Sequence, residues 1–115
     1  MAEPFLENWT TQLRKGLLEL CILNALAREQ VYGYDIVRQL RGIEYMVIGE
    51  GTIYPILSRL KREGLVDTTL EESSEGPARK YYRLSSRGRD VLSQMNQIWQ
   101  RVLDGLEPIL ARKGD

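Results

Sequence analysis

The residues of this chain best suited to chemistry are clustered cations, and the chemistry that they suit is binding to phosphate groups. Eleven consecutive residues, 79 to 89, contain five positive charges and no acid. These five are Arg79, Lys80, Arg83, Arg87 and Arg89. A second group stands beside Glu63 and consists of Arg59, Lys61 and Arg62. Because cations neutralise phosphates only where they lie on the docking face, such clusters predict phosphate binding, with a solvated charged surface as the alternative.

The rest of the composition excludes most catalytic chemistry. The chain has 115 residues and no histidine, which removes imidazole bases, zinc sites with histidine ligands and the Ser-His-Asp triad. Its one cysteine, Cys21, cannot form an intramolecular disulfide or a thiolate metal cluster, and we predict it to be a small core residue. No motif places a phosphate-cradling glycine loop or a pair of carboxylates. We therefore predict a protein that is not an enzyme and holds no cofactor or metal.

Total charge and apolar patterning bear on location. Sixteen Lys plus Arg balance sixteen Asp plus Glu, so the whole chain offers no field that would attract nucleic acid or an anionic membrane. The N-terminus lacks the basic start and apolar run of a signal peptide. The longest apolar stretch, near residues 17 to 27, is interrupted by Glu19 and Asn24, so no membrane span is predicted. These features predict a soluble, cytoplasmic protein with no membrane partner.

The segment from Gly49 to Gly64 carries the clearest helix signals. Apolar residues at helical spacing predict a buried stripe of Ile53, Ile56, Leu57 and Leu60. The opposite, polar face holds Tyr54, Ser58, Lys61 and Arg62. Thr52 is predicted as the N-cap, which places Pro55 in the first turn, where its missing amide hydrogen is tolerated. Gly64 is predicted as a left-handed C-cap, with Leu65 contacting Leu60.

The other elements are predicted around this helix. A largely buried helix spans about residues 10 to 28, and a shorter one lies between Gly33 and Gly42. Two short strands, 65–71 and 79–85, flank a seven-residue turn-forming loop and predict a β-hairpin. Ser86 is predicted to cap a long final helix, in which Pro108 causes a kink or fraying.

This order predicts a mostly α fold with a small β-hairpin, arranged as a winged helix-turn-helix followed by a long C-terminal helix. In that fold the second helix of the motif enters the major groove of DNA, and the hairpin, or wing, can reach the adjacent backbone or groove. Residues 1–85 are predicted to form the winged domain and residues 86–115 the C-terminal helix.

Four strings of residues resemble the PadR family of bacterial transcriptional regulators. They are residues 32–36 (YGYDI), 51–60 (GTIYPILSRL), 63–66 (EGLV) and 76–84 (GPARKYYRL). The resemblance implies a dimeric winged-helix repressor of operator DNA, with Thr52, Tyr54 and the basic residues of that helix on the DNA. It also implies that Arg79 and Lys80, in the wing, contact the backbone. Only one helix follows the wing, so the chain resembles the short subfamily rather than the founders, whose longer C-terminal domain accompanies sensing of phenolic acids.

The predicted DNA contacts share the polar side of the second motif helix, the start of the preceding helix and the wing. They are Tyr34, Thr52, Tyr54, Ser58, Arg59, Lys61, Arg62, Arg79 and Lys80. For Tyr34 and Tyr54 the alternative is a ring packed in the core or at an interface.

The last helix carries an apolar stripe that a small winged core cannot cover, so it is predicted to form a dimer. The predicted interface residues are Val91, Met95, Ile98, Trp99, Val102 and Leu106. A two-fold dimer would place two recognition helices about one DNA turn apart, matching a pseudo-palindromic operator. The resemblance also implies that Trp99 can pair across the dimer axis and stack a planar aromatic effector. The alternative is that Trp99 simply packs in the dimer core.

Two functions from different classes remain at this stage. The first is a sequence-specific, ligand-responsive transcriptional repressor of a neighbouring gene or operon. The second is a winged-helix protein-interaction module that does not bind DNA, which the zero net charge and a pI near 6.3 favour. Binding to DNA at rising salt separates the two.

Overall fold

A computed structural model describes residues 3–46 and 49–111, which form four helices and three strands. Their order is α1 (Pro4–Ala25), β1 (Val31–Tyr32), α2 (Gly33–Arg41), α3 (Glu50–Arg62), β2 (Val66–Ser73), β3 (Gly76–Leu84) and α4 (Ser86–Ala111). The predicted order of three helices, a hairpin and a final helix is confirmed. Of the two predicted domains, residues 1, 2, 47, 48 and 112–115 lie outside the described residues.

The hydrophobic core lies where α1, α2 and α3 meet the base of the sheet. Leu18, Ile22 and Leu23 of α1 are buried there with the predicted stripe residues Ile53 and Leu57 of α3. Helix α1 begins at Pro4 and not near residue 10, because Glu3 caps it by accepting a hydrogen bond from the Phe5 amide at 3.0 Å. Proline is well suited to the first helical position, since its missing N–H would be unpaired there in any case.

Helix α3 ends as predicted but starts earlier than predicted. Gly64 has a φ of 80°, and its amide donates to the Lys61 carbonyl while the Leu65 amide donates to the Leu60 carbonyl, each at 3.0 Å. This is the predicted left-handed cap. The N-cap, however, is Gly49 and not Thr52, so Pro55 is the sixth helical residue. The Gly51 carbonyl thereby loses its intrahelical donor, but Gly51 is exposed and water can replace it.

The sheet has three antiparallel strands in the order β1-β3-β2, one more than the predicted hairpin. Strands β2 and β3 extend to a tight turn at Ser74 and Glu75, so the predicted seven-residue loop is wrong. Strand β1 pairs Val31 with Tyr82 and Tyr32 with Tyr81. Successive residues alternate faces, so Tyr82 is buried in the core while Tyr81 lies on the outer face beside Tyr32.

Helix α4 starts on the base of the sheet and runs antiparallel to α1. Its cap is Ser85 and not Ser86, because the Ser85 hydroxyl accepts the Gly88 amide at 2.9 Å and the Ser85 amide donates to the Leu65 carbonyl at 3.0 Å. Farther along, the side-chain amides of Asn24 and Asn96 exchange two hydrogen bonds of 3.0 and 3.1 Å between α1 and α4. The helix continues through Pro108 to Ala111.

Candidate nucleic-acid interface

The exposed side of α3 presents most of the polar residues predicted to contact DNA. Thr52, Ser58, Lys61 and Arg62 are all exposed. Among the described residues, neither Lys61 nor Arg62 forms an ion pair. The two cations stand in the last turn of α3, one turn beyond Ser58, and are free to meet phosphates.

Arg59, also predicted to contact DNA, is partly exposed but pairs with two carboxylates of its own chain. Its guanidinium donates to the carboxylate of Glu19 in α1 and, at 3.0 Å, to that of Glu63 at the end of α3. The hydrogen bond to Glu19, and then that to Glu63, raise the pKa of Arg59. With two carboxylates already bound, this side chain links α3 to α1, and its positive charge is compensated.

Tyr54 lies between the two alternatives stated for it. Its ring is half-buried against Gly33, where an added Cβ would stand 3.0 Å from a Tyr54 ring carbon and 3.1 Å from a Tyr82 ring carbon. Burial, followed by the nearby Glu50 carboxylate, raises the pKa of the Tyr54 phenol. The phenol therefore stays protonated and can still donate a hydrogen bond. Tyr34, at the start of α2, is exposed.

Three of the five cations between residues 79 and 89 are engaged within the chain. Arg87 donates to the Glu63 carbonyl at the end of α3, and Arg89 donates to the Ala27 carbonyl just beyond α1 at 3.2 Å. Arg83 stands 3.9 Å from the carboxylate of Asp67, its partner on β2. Cations favour the carbonyl ends of helices, so part of this cluster stabilises the fold and is not a surface for phosphates.

The remaining two wing cations, Arg79 and Lys80, lie on opposite faces of β3 because they are adjacent in a strand. Lys80 stands opposite Leu70 on the face that, nearer the base, packs against the helices through Tyr82. Leu70 is 69% exposed, so this part of the wing extends beyond the core. The Arg79 guanidinium lies over the Tyr32 ring on the other face, 4.9 Å from its centroid. Lys80 is therefore the wing cation on the helix side of the sheet.

Carboxylates surround the tip of the wing. Glu75 is exposed in the turn, and Glu71 and Glu72 are exposed near the end of β2. Like charges repel, so the tip itself is unsuited to phosphate contact. Among the described residues of α3 and the wing, the cations without an ion pair are Lys61, Arg62 and Lys80, with Arg79 on the outer face of the wing.

The far half of α4 exposes the apolar side chains predicted for a dimer. Ile98 is 63% exposed, and exposed neighbours on this half of the helix are Val102, Leu103, Leu106, Ile109 and Leu110. The predicted interface did not include Leu103, Ile109 or Leu110. Val91 and Met95, also predicted for the interface, are half-buried against the core of their own chain.

Trp99 is half-buried between α1 and α4. It lines one cavity of about 410 Å³ together with Leu20, Asn24 and Asn96. It also lines a second cavity of about 200 Å³ with Gly16. Burial raises the pKa of the Cys21 thiol, which borders the larger cavity. The indole therefore borders open space within its own chain, as stacking with a flat molecule would require.

Two kinds of site are not found in the part of the chain that the structure covers. In residues 3–46 and 49–111, no group of three or more His, Cys, Asp or Glu residues could hold a metal ion. No helix in these ranges is long and apolar enough to cross a membrane.

Comparison with known proteins gives one consistent result. A model of the transcriptional regulator PadR-like family matches residues 22–94. The crystal structure of a PadR-like regulator from Bacillus cereus is similar, with a TM-score of 0.79 and 38% sequence identity. The match covers 90% of this chain and 99% of that one. The crystal structure of a PadR family regulator from Eggerthella lenta has a TM-score of 0.79 and 29% sequence identity. That match covers 97% of this chain and 96% of the other. A transcriptional regulator from Mycobacterium tuberculosis is 30% identical over 98 residues, 82% of this chain and 90% of that protein. The predicted winged helix-turn-helix class is confirmed.

Proposed function

The chain belongs to the PadR-like family of transcriptional regulators, which are not enzymes, and on that premise we propose that it is a homodimeric, sequence-specific repressor responsive to a small molecule. Residues 1–85 are the proposed DNA-binding domain, and residues 86–115 the dimerisation helix. The observation that carries the proposal is the exposed cationic end of α3 beside the wing. Lys61, Arg62 and Lys80 leave their charges uncompensated within the described residues, as phosphate contacts require.

The proposed DNA contacts divide by task. Thr52 and Ser58, exposed on α3, and Tyr34, exposed at the start of α2, are suited to hydrogen bonds with base edges or phosphates. Lys61, Arg62 and Lys80, together with Arg79 on the outer face of the wing, supply the electrostatic part of affinity. Arg59 acts indirectly, by holding α3 against α1. Tyr54 contacts DNA through its hydroxyl, while its ring packs against Gly33.

Arg62→Ala and Lys80→Ala are each expected to weaken operator binding without lowering stability, because both side chains are exposed. If each contacts one phosphate, the slope of log affinity against log salt should fall by about one per variant. The measurement is fluorescence anisotropy of a duplex from the region upstream of the protein's own gene, repeated at several salt concentrations.

The matched controls for these variants keep the charge. Arg62→Lys and Lys80→Arg should retain the salt slope even where affinity changes, since Lys and Arg differ in hydrogen-bond geometry but not in charge. Unchanged affinity and salt slope in both alanine variants would show that this surface does not contact DNA. If wild type itself fails to bind the duplex at low salt, the alternative of a protein-interaction module is favoured.

The proposed effector is a planar aromatic molecule that stacks on Trp99. Titrating a planar cationic dye into the Trp9→Phe variant should quench the emission of Trp99, because the dye would stack on the indole ring. Each ring stack adds roughly 0.5–1.5 kcal/mol to binding beyond the apolar area buried. Trp9→Phe removes the other indole, so Trp99 alone reports. The dye should also change operator affinity, but only by its differential affinity for the two DNA-binding states. Emission unchanged up to about a millimolar dye, where binding is already as weak as ~4 kcal/mol, would make Trp99 a packing residue only.

A further inference from the structure

Strand β1 and the residue before it contact the wing at a point that the sequence did not reveal. Tyr32 of β1 faces Tyr81 of β3, with ring centroids 5.8 Å apart and planes tilted by 43°. Arg79 lies two residues before Tyr81 on the same face of β3, and its guanidinium stands 4.9 Å from the centroid of the Tyr32 ring. The two tyrosines thus form an aromatic support under one wing cation.

A second contact, between Gln30 and Glu71, bears on whether Arg79 is paired within the chain. Glu71 is the β2 residue directly opposite Arg79, and side chains at such positions lie on the same face within reach of each other. Yet the Glu71 carboxylate accepts a hydrogen bond from the side-chain amide of Gln30, and it forms no ion pair with Arg79. The carboxylate directly across the strand pair is therefore bound to Gln30 and not to the cation.

We propose that Gln30 and Tyr32 are positioning residues for Arg79, which keep its positive charge available to a DNA phosphate. Tyr32 holds the guanidinium over its ring, and Gln30 occupies the carboxylate that would otherwise neutralise it. This inference rests on the proposed function in DNA binding. A guanidinium on an aromatic face keeps its N–H groups at the ring edge, where they can still donate to a phosphate oxygen.

The test compares single variants in binding to the upstream duplex. Arg79→Ala should weaken binding and lower the salt slope by about one. Tyr32→Leu, which removes the ring, should cost about two- to fivefold in affinity, the effect of one exposed cation–π contact. Tyr32→Phe keeps the ring and should bind like wild type. Gln30→Ala releases Glu71 to pair with Arg79 and should cost up to about fivefold, while adding Glu71→Gln should restore binding.

The same variants in an Arg79→Ala background separate positioning from a general structural role. If Tyr32 and Gln30 act through Arg79, then Tyr32→Leu and Gln30→Ala should have no further effect there. Because a phosphate contact does not depend on sequence, the pattern should recur on an unrelated duplex at low salt. Urea unfolding identifies any variant that loses affinity through instability, in which case Gln30→Ala with Glu71→Gln still decides the question.

Three results would overturn the inference. The third of them does so while leaving the proposed function in DNA binding intact. The first is an undiminished loss from Tyr32→Leu and Gln30→Ala in the Arg79→Ala background. The second is a Tyr32→Phe variant as weak as Tyr32→Leu. The third is unchanged binding by Arg79→Ala while Arg62→Ala and Lys80→Ala weaken it, which leaves the proposed function intact. If all three cations are dispensable, the proposed DNA surface itself is wrong.

Discussion

Replacing Ile98 with aspartate is expected to convert the protein from a dimer to a monomer and to abolish tight operator binding. Ile98 is 63% exposed on its own chain, so the substitution should leave the fold of each subunit intact. In a dimer formed through the apolar half of α4, however, it would bury an unpaired carboxylate. That costs about 3 kcal/mol or more, which is over a hundredfold in the dissociation constant of the dimer.

Loss of the dimer removes the linkage between two DNA-binding domains, so operator affinity should fall by about a hundredfold or more. Sedimentation velocity and anisotropy on the same samples measure the two effects. Gln97→Asp adds the same charge on the polar face of α4 and should leave both unchanged. A wild-type protein that sediments as a monomer at micromolar concentration would contradict the proposed dimer.

Gly88→Ala, in the first turn of α4, is expected to be the most destabilising glycine-to-alanine change among the described residues. A Cβ at this position would stand 2.0 Å from the Leu65 carbonyl oxygen, a backbone atom that cannot swing away. That oxygen also accepts the Ser85 amide at 3.0 Å, so α4 cannot move away without breaking this hydrogen bond. We expect a loss of about 3 kcal/mol, or a fall in Tm of roughly 10 °C or more.

Gly51→Ala in α3 is the control, because it adds the same methyl group to an exposed helical residue with open space around it. It should leave stability unchanged or raise it by up to about 1 kcal/mol, since alanine favours a helix over glycine. Both are measured by urea unfolding at one protein concentration, because the proposed dimerisation would make apparent stability depend on concentration. A Gly88→Ala protein as stable as wild type would mean that α4 does not start against the Leu65 carbonyl.

Helix α3 illustrates how much of the fold is predictable from local sequence. Its buried stripe and its end at Gly64 are formed by residues within one or two turns of each other. The spacing of the apolar residues predicts the stripe, and a glycine, which adopts positive φ easily, predicts the end. Its start was less predictable, because Thr52 and Gly49 are both acceptable caps and only packing selects between them. The exposed cations Lys61 and Arg62 follow from the same helical period.

The contacts that divide the cations into two groups join residues far apart in the chain. Glu19 and Arg59 are separated by 40 residues, Ala27 and Arg89 by 62, and no local pattern signals that they meet. Strand β1 has only two residues and exists because β3 offers it an edge. The amino-acid sequence by itself determined the helices, the hairpin and the apolar stripe of α4, since each depends on neighbouring residues. Only the tertiary structure decided which arginines hold the fold together and which remain free, because a cation pairs with whatever carboxylate or carbonyl the packing brings within a few ångströms.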